Sequence, residues 1–327
     1  MKEKNDRLFC VAPMMGYTTP YARKLYRILS KNAFLFTEMI ASKTLINSKN
    51  KDLIINNDDH NPVALQVGGS DLFDLKKCSK IAYEYNYDEI NLNVGCPSKA
   101  VQKGSFGACL MKNKILVRQC IESMQNSKIE VTMKCRIGLG KKLDYEFFED
   151  FIDEVLKSGI NIIYVHARNA ILSGITPSQN RSVPPLDYNF VKKIKTKYPD
   201  VQFILNGGIN NLDMVHKLLK DFDGVMLGRL IQSNPFILRK VDSIFFDEEN
   251  SKSIDEQIIY DYFNYISPKL GSDSFFRLLS PILYIFFGIP HGKIFKSKIN
   301  HYIKNQDLKI IESIFINFIK KNKILLN

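Results

Sequence analysis

Short apolar runs alternate with longer amphipathic segments over most of the chain. Eight runs have the length and composition of β-strands: residues 9–15, 34–39, 62–68, 89–95, 130–137, 161–168, 202–208 and 224–229. Segments with apolar residues at helical spacing lie between them: 20–31, 71–85, 114–127, 145–158, 187–198, 211–222 and 234–246. Strands that alternate with helices form right-handed βαβ units and a parallel sheet. Eight units over roughly 250 residues predict an α/β fold of the (β/α)₈, or TIM barrel, type.

A doubly wound open sheet is the alternative fold for this pattern. Its dinucleotide-binding fingerprint is absent, since Gly138-Leu-Gly140 continues into Lys141-Lys-Leu143 without the third glycine. The barrel is therefore favoured.

The pattern changes after residue 247. A polar, largely acidic stretch at 247–253 indicates a linker, and from residue 254 onward Ile and Phe recur at helical spacing with no further strand. We expect a TIM-barrel domain at 1–247 and a small all-helical domain at 254–327. Residues 274–306 carry five basic side chains and no acidic one. Such a face is either merely solvated or a surface for a phosphate backbone.

The composition is that of a globular protein, with 45% hydrophobic and 24% charged residues among 327. Lys and Arg number 46 against 34 Asp and Glu, a formal charge of +12, which favours a polyanionic partner. No signal-peptide cleavage pattern follows the first apolar run, and the run at 282–287 is too short to span a membrane. We therefore expect a soluble cytoplasmic protein.

The chain has six cysteines: Cys10, Cys78, Cys96, Cys109, Cys120 and Cys135. None lies in a C-x-x-C pair, and no histidine stands at zinc-ligand spacing, so we expect no metal site. In a cytoplasmic chain the default is reduced thiols that fill space in the core. Whether one of them is chemically active stays open on this evidence.

Polar residues share one face of several predicted strands, because side chains alternate between the faces of a strand. These residues are Gln66, Asn91, Asn93, Thr132, Lys134, Arg136, Tyr164, His166, Arg168 and Asn206. If the apolar faces meet the helices, this polar set points into the barrel, where burial is costly without partners. The residues either satisfy one another or bind a polar ligand. Their convergence from five strands favours a ligand at the C-terminal mouth of the barrel.

Two strand ends carry glycine. Asn206-Gly-Gly-Ile209 closes the seventh predicted strand, and Gly228-Arg229 closes the eighth. Tight turns also need glycine. However, the loops after these two strands commonly form a phosphate site in TIM barrels, and an arginine forks onto phosphate. The combination predicts a ligand that carries a phosphate.

Several motifs together resemble the tRNA-dihydrouridine synthase family over essentially the whole chain. They are Ala12-Pro-Met-Met-Gly-Tyr-Thr18, Thr37-Glu-Met39, Ala64-Leu-Gln-Val-Gly-Gly69, Asn91-Leu-Asn-Val-Gly-Cys-Pro-Ser98, Lys134-Cys-Arg-Ile-Gly138, His166-Ala-Arg168, Asn206-Gly-Gly208 and Gly228-Arg229. Residues 173–188 look like the A subfamily, which modifies uridines 20 and 20a in the D-loop of tRNA. The element Asn93-x-Gly-Cys-Pro-Ser98 is the most specific of these.

The resemblance implies an FMN-dependent reductase in which NADPH reduces the flavin, hydride passes to C6 of a flipped-out uracil, and a cysteine protonates C5. Cys96 matches that cysteine. A free thiol with a pKa of about 8.5 is mostly protonated at neutral pH and can act as a general acid without prior activation. The alternative for Cys96 is a small apolar residue in a turn.

Matching positions give the expected cofactor contacts: Pro13, Met14, Met15, Gln66, Lys134, His166, Asn206, Gly207, Gly208, Gly228 and Arg229. Lys134 would stabilise negative charge on the pyrimidine edge of the reduced flavin. His166 would contact flavin or uracil. The last five residues would hold the phosphate.

The expected tRNA contacts are Asn93 for the target nucleotide, and Asn180, Arg181, Lys293 and Lys296 for the backbone. Lys293 and Lys296 depart from the arginines expected there, so the charge is kept while the bidentate fork is lost. The basic segment 99–121 follows Cys96. No protein partner can be inferred.

Two other functions compete with this interpretation. An FMN barrel of the dihydroorotate dehydrogenase type also places a cysteine near the flavin, but a small free pyrimidine needs no basic helical domain. A tRNA-binding protein without catalysis is the other, and the retained Cys96, Lys134 and His166 argue against it.

Overall fold

The computed structural model describes residues 7–248 and 253–326, and its strands form one parallel sheet. The strands are β1 (Phe9–Val11), β2 (Leu35–Phe36), β3 (Ile40–Ala41), β4 (Val63–Gly68), β5 (Glu89–Val94), β6 (Glu130–Arg136), β7 (Ile162–His166), β8 (Gln202–Asn206) and β9 (Gly224–Leu227). They pair in the order β1-β9-β8-β7-β6-β5-β4-β2, and the short β3 lies beside β4. Every strand predicted from the sequence contains one of them.

The sheet closes on itself beside β1. Cys10 pairs in parallel with Phe34, just before β2. The backbone N–H of Val11 donates to the Phe34 carbonyl at 2.8 Å, and the N–H of Phe34 donates to the Phe9 carbonyl at 2.9 Å. The described strands therefore form a closed eight-stranded barrel, and the TIM-barrel prediction is confirmed.

Helices follow the strands and continue to the end of the described chain. They are α1 (Pro20–Leu29), α2 (Ser42–Asn47), α3 (Asp52–Ile55), α4 (Leu72–Glu84), α5 (Lys99–Lys103), α6 (Lys114–Met124), α7 (Tyr145–Leu156), α8 (Tyr188–Lys197), α9 (Leu212–Leu218), α10 (Arg229–Ser233), α11 (Val241–Phe245), α12 (Glu256–Ile266), α13 (Phe275–Leu279), α14 (Gly292–Asn305) and α15 (Leu308–Leu326). Many begin where the sequence offers a short polar side chain. For example, Asp71, Asp144 and Asp187 each accept a hydrogen bond from the backbone N–H three residues later. No helix within 7–248 and 253–326 has the length and apolarity needed to cross a membrane.

The chain divides into two compact units. The first contains the residues up to Met15 and Phe34–Gly228, and the second contains Gly16–Ala33 and the residues from Arg229 onward. The second unit is helical, as expected for the C-terminal part. It starts earlier than residue 254 and also includes α1.

A buried carboxylate explains why α1 belongs with later helices. Asp242, on α11, accepts hydrogen bonds from the Ser30 hydroxyl (2.5 Å) and from the backbone N–H groups of Lys31 (2.6 Å) and Asn32 (3.1 Å). These donors lie directly after α1, so a single side chain ties the end of that helix to α11. Residues 229–247 therefore group with the helical unit, although periodicity alone assigned them to the barrel.

The barrel interior has an apolar side. Side chains from β1, β4 and β7–β9 and from the segment around β2 pack together: Cys10, Ala12, Phe34, Phe36, Ala64, Ile162, Tyr164, Ile204 and Met226. The rings of Phe36 and Tyr164 meet edge to face with centroids 5.0 Å apart. Most of the inward polar groups lie on β4, β5 and β6, while β7 and β8 end in His166 and Asn206.

Candidate functional site

A row of polar side chains crosses three adjacent strands inside the barrel. Gln66 on β4 is in register with Asn91 on β5, which is in register with Thr132 on β6. The Gln66 Nε2 donates to Asn91 Oδ1 at 2.8 Å, and Asn91 Nδ2 donates to Thr132 Oγ1 at 2.7 Å. All three residues are fully buried. The sequence phase predicted this inward face correctly, and hydrogen bonds between neighbours offset its burial.

The row begins at a buried carboxylate. Glu89, the first residue of β5, accepts hydrogen bonds from Thr132 Oγ1 (2.5 Å), Tyr164 Oη (2.9 Å) and Arg7 Nε (3.0 Å). Burial raises the pKa of Glu89, while the Arg7 guanidinium and the two hydroxyl donors act to lower it. Three donors, one of them the Arg7 cation, therefore satisfy this carboxylate in the described structure.

The other end of the row reaches Cys96. Asn93 Nδ2 donates to Gln66 Oε1 at 2.9 Å, and Asn93 Oδ1 accepts from the backbone N–H groups of Gly95 (3.2 Å) and Cys96 (3.0 Å). Asn93 is only 7% exposed. Its side chain holds the turn that carries the cysteine rather than standing open to a ligand.

Cys96 is held on its carbonyl side as well. The backbone N–H of Ala108 donates to the Cys96 carbonyl at 2.9 Å. The preceding Gly107 has φ +75°, and a Cβ there would lie 2.5 Å from the same carbonyl oxygen, so glycine is required for this close approach. The Cys96 side chain remains partly exposed. A fixed backbone and an accessible thiol suit a residue that must reach a reacting atom.

Arg136 connects the cysteine turn to a second loop. Its Nε donates to the Gly95 carbonyl (3.1 Å), and its Nη1 donates to the carbonyls of Asn169 and Asn180 (both 2.9 Å). Gln102 makes a parallel link, since its Nε2 donates to the carbonyls of Pro97 (2.9 Å) and Leu172 (2.8 Å). The turn after β5 and residues 169–180 are thus joined at two places.

Lys134 lies on β6 and Asn206 on β8, and their bond spans β7. Lys134 Nζ donates to Asn206 Oδ1 at 3.0 Å, and Asn206 Nδ2 donates to the Met226 carbonyl at 2.7 Å. Burial, with a contribution from Arg136, lowers the pKa of Lys134 to about 8, and the sulfur of Cys96 acts to raise it. Burial also lowers the pKa of Arg136 to about 10, again opposed by Cys96. Arg136 bonds the carbonyl of Gly95, directly before Cys96, and Lys134 is in register with Asn93 on the neighbouring strand, so both basic residues lie beside the cysteine turn.

The ends of β7 and β8 meet around two glycines. His166 ends β7 in register with Asn206. Gly207 has φ +117°, and a Cβ at that position would lie 2.7 Å from His166 Cδ2. Gly208 has φ +68°, and its Cβ would lie 2.3 Å from Leu186 Cδ1. Only glycine gives this turn its conformation together with the close packing of His166 and Leu186 around it.

The segment after β1 contributes a methionine to the same barrel. Met14 packs against the apolar interior cluster, and a Cβ on Gly228 would lie 3.6 Å from Met14 Sδ. Pro13 is half-buried, whereas Met15 is 65% exposed. Arg229 follows Gly228 directly as the first residue of α10 and is exposed.

The expected tRNA contacts differ in exposure. Arg181, Lys293 and Lys296 are exposed. Asn180 is fully buried: its Oδ1 accepts from the Ile171 N–H at 2.8 Å and its Nδ2 donates to the Ile171 carbonyl at 2.9 Å. The Asn180 side chain therefore supports its own loop in this structure and presents no surface to RNA.

Sequence reasoning missed the structural roles of Glu89, Arg136 and Gln102. The first two were detectable in part, because Glu89 shares its strand phase with Asn91 and Asn93, and Arg136 shares its phase with Lys134. Gln102 lies on the short helix α5 and had no such signal.

Comparisons with known proteins agree with the motifs. The family model described as dihydrouridine synthase (Dus) matches residues 10–321. A tRNA-dihydrouridine(20/20a) synthase of Escherichia coli strain K12 is 39% identical over 321 residues, which cover 95% of this chain and 93% of the relative. A protein of the same name from Shewanella oneidensis is 42% identical over 266 residues, 81% of this chain and 79% of the relative.

Solved structures with little sequence similarity share the fold. The old yellow enzyme homologue from Zymomonas mobilis superposes with a TM-score of 0.52 at 12% identity, covering 75% of this chain and 90% of its own. Morphinone reductase in complex with tetrahydroNAD gives a TM-score of 0.50 at 9% identity, with 70% and 84% covered. These two likenesses concern the barrel fold alone. On the family model and the close relatives, the chain belongs to the dihydrouridine synthase family.

Proposed function

We propose that this protein reduces uridine to 5,6-dihydrouridine at positions 20 and 20a in the D-loop of tRNA, using FMN and NADPH. The observation that carries the proposal is Cys96, partly exposed after β5 and bonded through both its backbone N–H and its carbonyl. Family membership supports the reaction, and the names of the close relatives support the substrate positions.

Cys96 would donate the proton that C5 of the uracil ring gains. Proton loss leaves negative charge on the sulfur, and Lys134 and Arg136 beside the cysteine turn would interact with that charge. Cations fixed before the reaction stabilise developing charge without reorganisation. Arg136 also bonds the Gly95 carbonyl, so it both holds the turn and supplies charge.

The residues of the barrel fit a bound FMN. Burial lowers the pKa of Lys134 to about 8, because the charged ammonium loses hydration. An anionic ligand edge beside Lys134 would offset that loss. The glycine turn at the end of β8, Gly207 and Gly208, is proposed to hold the phosphate through its backbone. Gly228 with Arg229 is proposed for the same group from its position in the chain. Gln66 and Asn206 each use one amide hydrogen, for Asn91 and the Met226 carbonyl, and would donate the second to polar ring edges. His166 would face flavin or uracil, and Pro13, Met14 and Met15 would line the flavin. Bound FMN would take hydride from NADPH and supply it to C6 of the uracil.

The basic face of the second unit would hold the tRNA backbone. Lys293 and Lys296 are exposed on α14, and Arg181 is exposed in the loop after β7. Exposed lysines bind phosphates as point charges, so this contact would give affinity that depends on salt. Because Asn93 and Asn180 are buried, we propose that they position the cysteine turn and the loop of Arg181, respectively.

Replacing the thiol is expected to abolish proton donation. Cys96→Ala should slow dihydrouridine formation by about 10²- to 10⁴-fold, the usual contribution of a general acid, and should leave FMN content and tRNA affinity unchanged. The measurement is mass spectrometry of tRNA after incubation with protein, FMN and NADPH, with the gain of two hydrogen atoms mapped to the D-loop. Cys109→Ala is the matched control, because Cys109 is also partly exposed but donates to the Phe106 carbonyl. Full activity in Cys96→Ala, or turnover of free dihydroorotate by the wild-type protein, would contradict the proposal.

Lys134 should make FMN binding depend on pH. Above its pKa of about 8, an anionic ligand binds with proton uptake, so affinity should fall by up to about tenfold per pH unit. In Lys134→Met the binding should be weaker at pH 7 and lack this dependence. Quenching of FMN fluorescence between pH 7 and about 9.5 measures both, and subtracting the variant's profile removes the titration of FMN itself. Identical slopes for the two proteins would exclude Lys134 as the cation that faces the ligand.

Lys293 and Lys296 on α14 should contribute to tRNA affinity but not to the reduction itself. The double variant Lys293→Ala with Lys296→Ala should bind tRNA more weakly and with a shallower salt dependence, by about two units of slope. Lys76→Ala with Lys80→Ala on α4 is the control, because it removes the same charge from exposed lysines of the barrel unit. Filter binding across a salt series measures the slopes. An equal loss of tRNA affinity in both double variants would show that net charge, and not the position of Lys293 and Lys296, accounts for the effect.

A further inference from the structure

We propose that Thr132 and Asn91 are positioning residues for Cys96 and act through a directed hydrogen-bond relay that starts at Glu89. The inference rests on the proposed function, in which Cys96 donates a proton. The relay runs from Glu89 through Thr132, Asn91, Gln66 and Asn93 to the backbone N–H of Cys96, with donor–acceptor distances of 2.5, 2.7, 2.8, 2.9 and 3.0 Å.

The two ends of the relay fix its direction. At one end Glu89 accepts from three donors, and at the other the N–H groups of Gly95 and Cys96 can only donate. The Thr132 hydroxyl uses its single hydrogen to donate to Glu89, so it must accept the hydrogen bond from Asn91. Each following amide then has one orientation in which both of its ends are paired. The amide of Asn93 is thus held with its oxygen towards the cysteine turn.

Burial makes this arrangement stiff. Glu89, Thr132, Asn91 and Gln66 are fully buried, and reversing any one amide would place like groups against each other. An unpaired buried polar group costs about 1–3 kcal/mol. A chain that begins at a carboxylate is also strengthened, because each donor is polarised by the acceptor beyond it. The orientation of Asn93 is therefore set by a charge on the far side of the row.

Space filling does not require this polar row. Elsewhere in the same barrel, nine side chains from β1, β4, β7, β8, β9 and the segment around β2 pack as a cluster that is apolar apart from the Tyr164 hydroxyl. A row of Val or Leu would avoid the cost of burying polar groups, yet three strands carry an amide or a hydroxyl in register. The row ends at the turn of Cys96, which is the part of the barrel that needs accurate placement.

The test is a hydroxyl swap at Thr132. Thr132→Val keeps the shape but removes the acceptor for Asn91 and the donor to Glu89, and we expect the single-turnover rate of uridine reduction to fall about 10- to 100-fold. FMN content and tRNA Kd should stay unchanged, and the solvent deuterium isotope effect should increase as proton donation becomes slower. Thr132→Ser restores the hydroxyl and should stay within about threefold of wild type. If Thr132→Val fails to retain FMN, Thr132→Ala is used to test the relay instead, because it removes the same hydroxyl without an added methyl.

Tyr164→Phe is the matched control. It removes one hydrogen bond to the same carboxylate, but the bond lies on Glu89 Oε2 and not on the route to Cys96. Its rate should stay within about threefold of wild type. Unchanged turnover in Thr132→Val, or an equal loss in Thr132→Ser or Tyr164→Phe, would overturn the relay while wild type stays active. A wild-type protein that forms no dihydrouridine would instead overturn the proposed function and the relay with it.

Discussion

The buried carboxylate of Glu89 is the interaction on which the polar half of the barrel depends. Without an acceptor at that point, the Thr132 hydroxyl, the Tyr164 hydroxyl and the Arg7 guanidinium would each lose a partner in a region closed to water. Burying an unpaired charge or donor costs more free energy than most single contacts contribute. Because Glu89 accepts from these donors, burial of the polar face of β4–β6 is no longer unfavourable. Each hydrogen-bonded side chain of that face then fixes the orientation of the next.

The barrel interior contains two groups of side chains with different tasks. The apolar cluster, built from β1, β4, β7, β8, β9 and the segment around β2, supplies packing. The polar side on β4–β6 carries hydrogen bonds upward to the turn that bears Cys96, and β6 adds Lys134 near the same mouth. The proposed reaction would need both a rigid scaffold and a well-placed acid, and the two groups of side chains would supply one each.

Much of this was predictable from the sequence, because strands have a period of two. The eight apolar runs contain the eight barrel strands, and the phase of β4–β6 identified Gln66, Asn91, Asn93 and Thr132 as inward-facing. What phase cannot give is the partner of each group. Asn93 and Asn180 were expected to contact tRNA, yet both are buried and bonded to their own loops. Likewise α1 has the spacing of a barrel helix, but Asp242, more than two hundred residues away, groups it with the helical unit.

Amide hydrogen exchange of Gly95 and Cys96 tests the central claim most directly, because both N–H groups lie after a strand and gain protection only if Asn93 Oδ1 accepts from them. We expect the Cys96 amide to exchange at least about a hundredfold more slowly than an unstructured peptide, and Asn93→Ala to remove this protection while β5 stays protected. Exchange at the unprotected rate in the wild-type protein would show that Asn93 does not hold the cysteine turn.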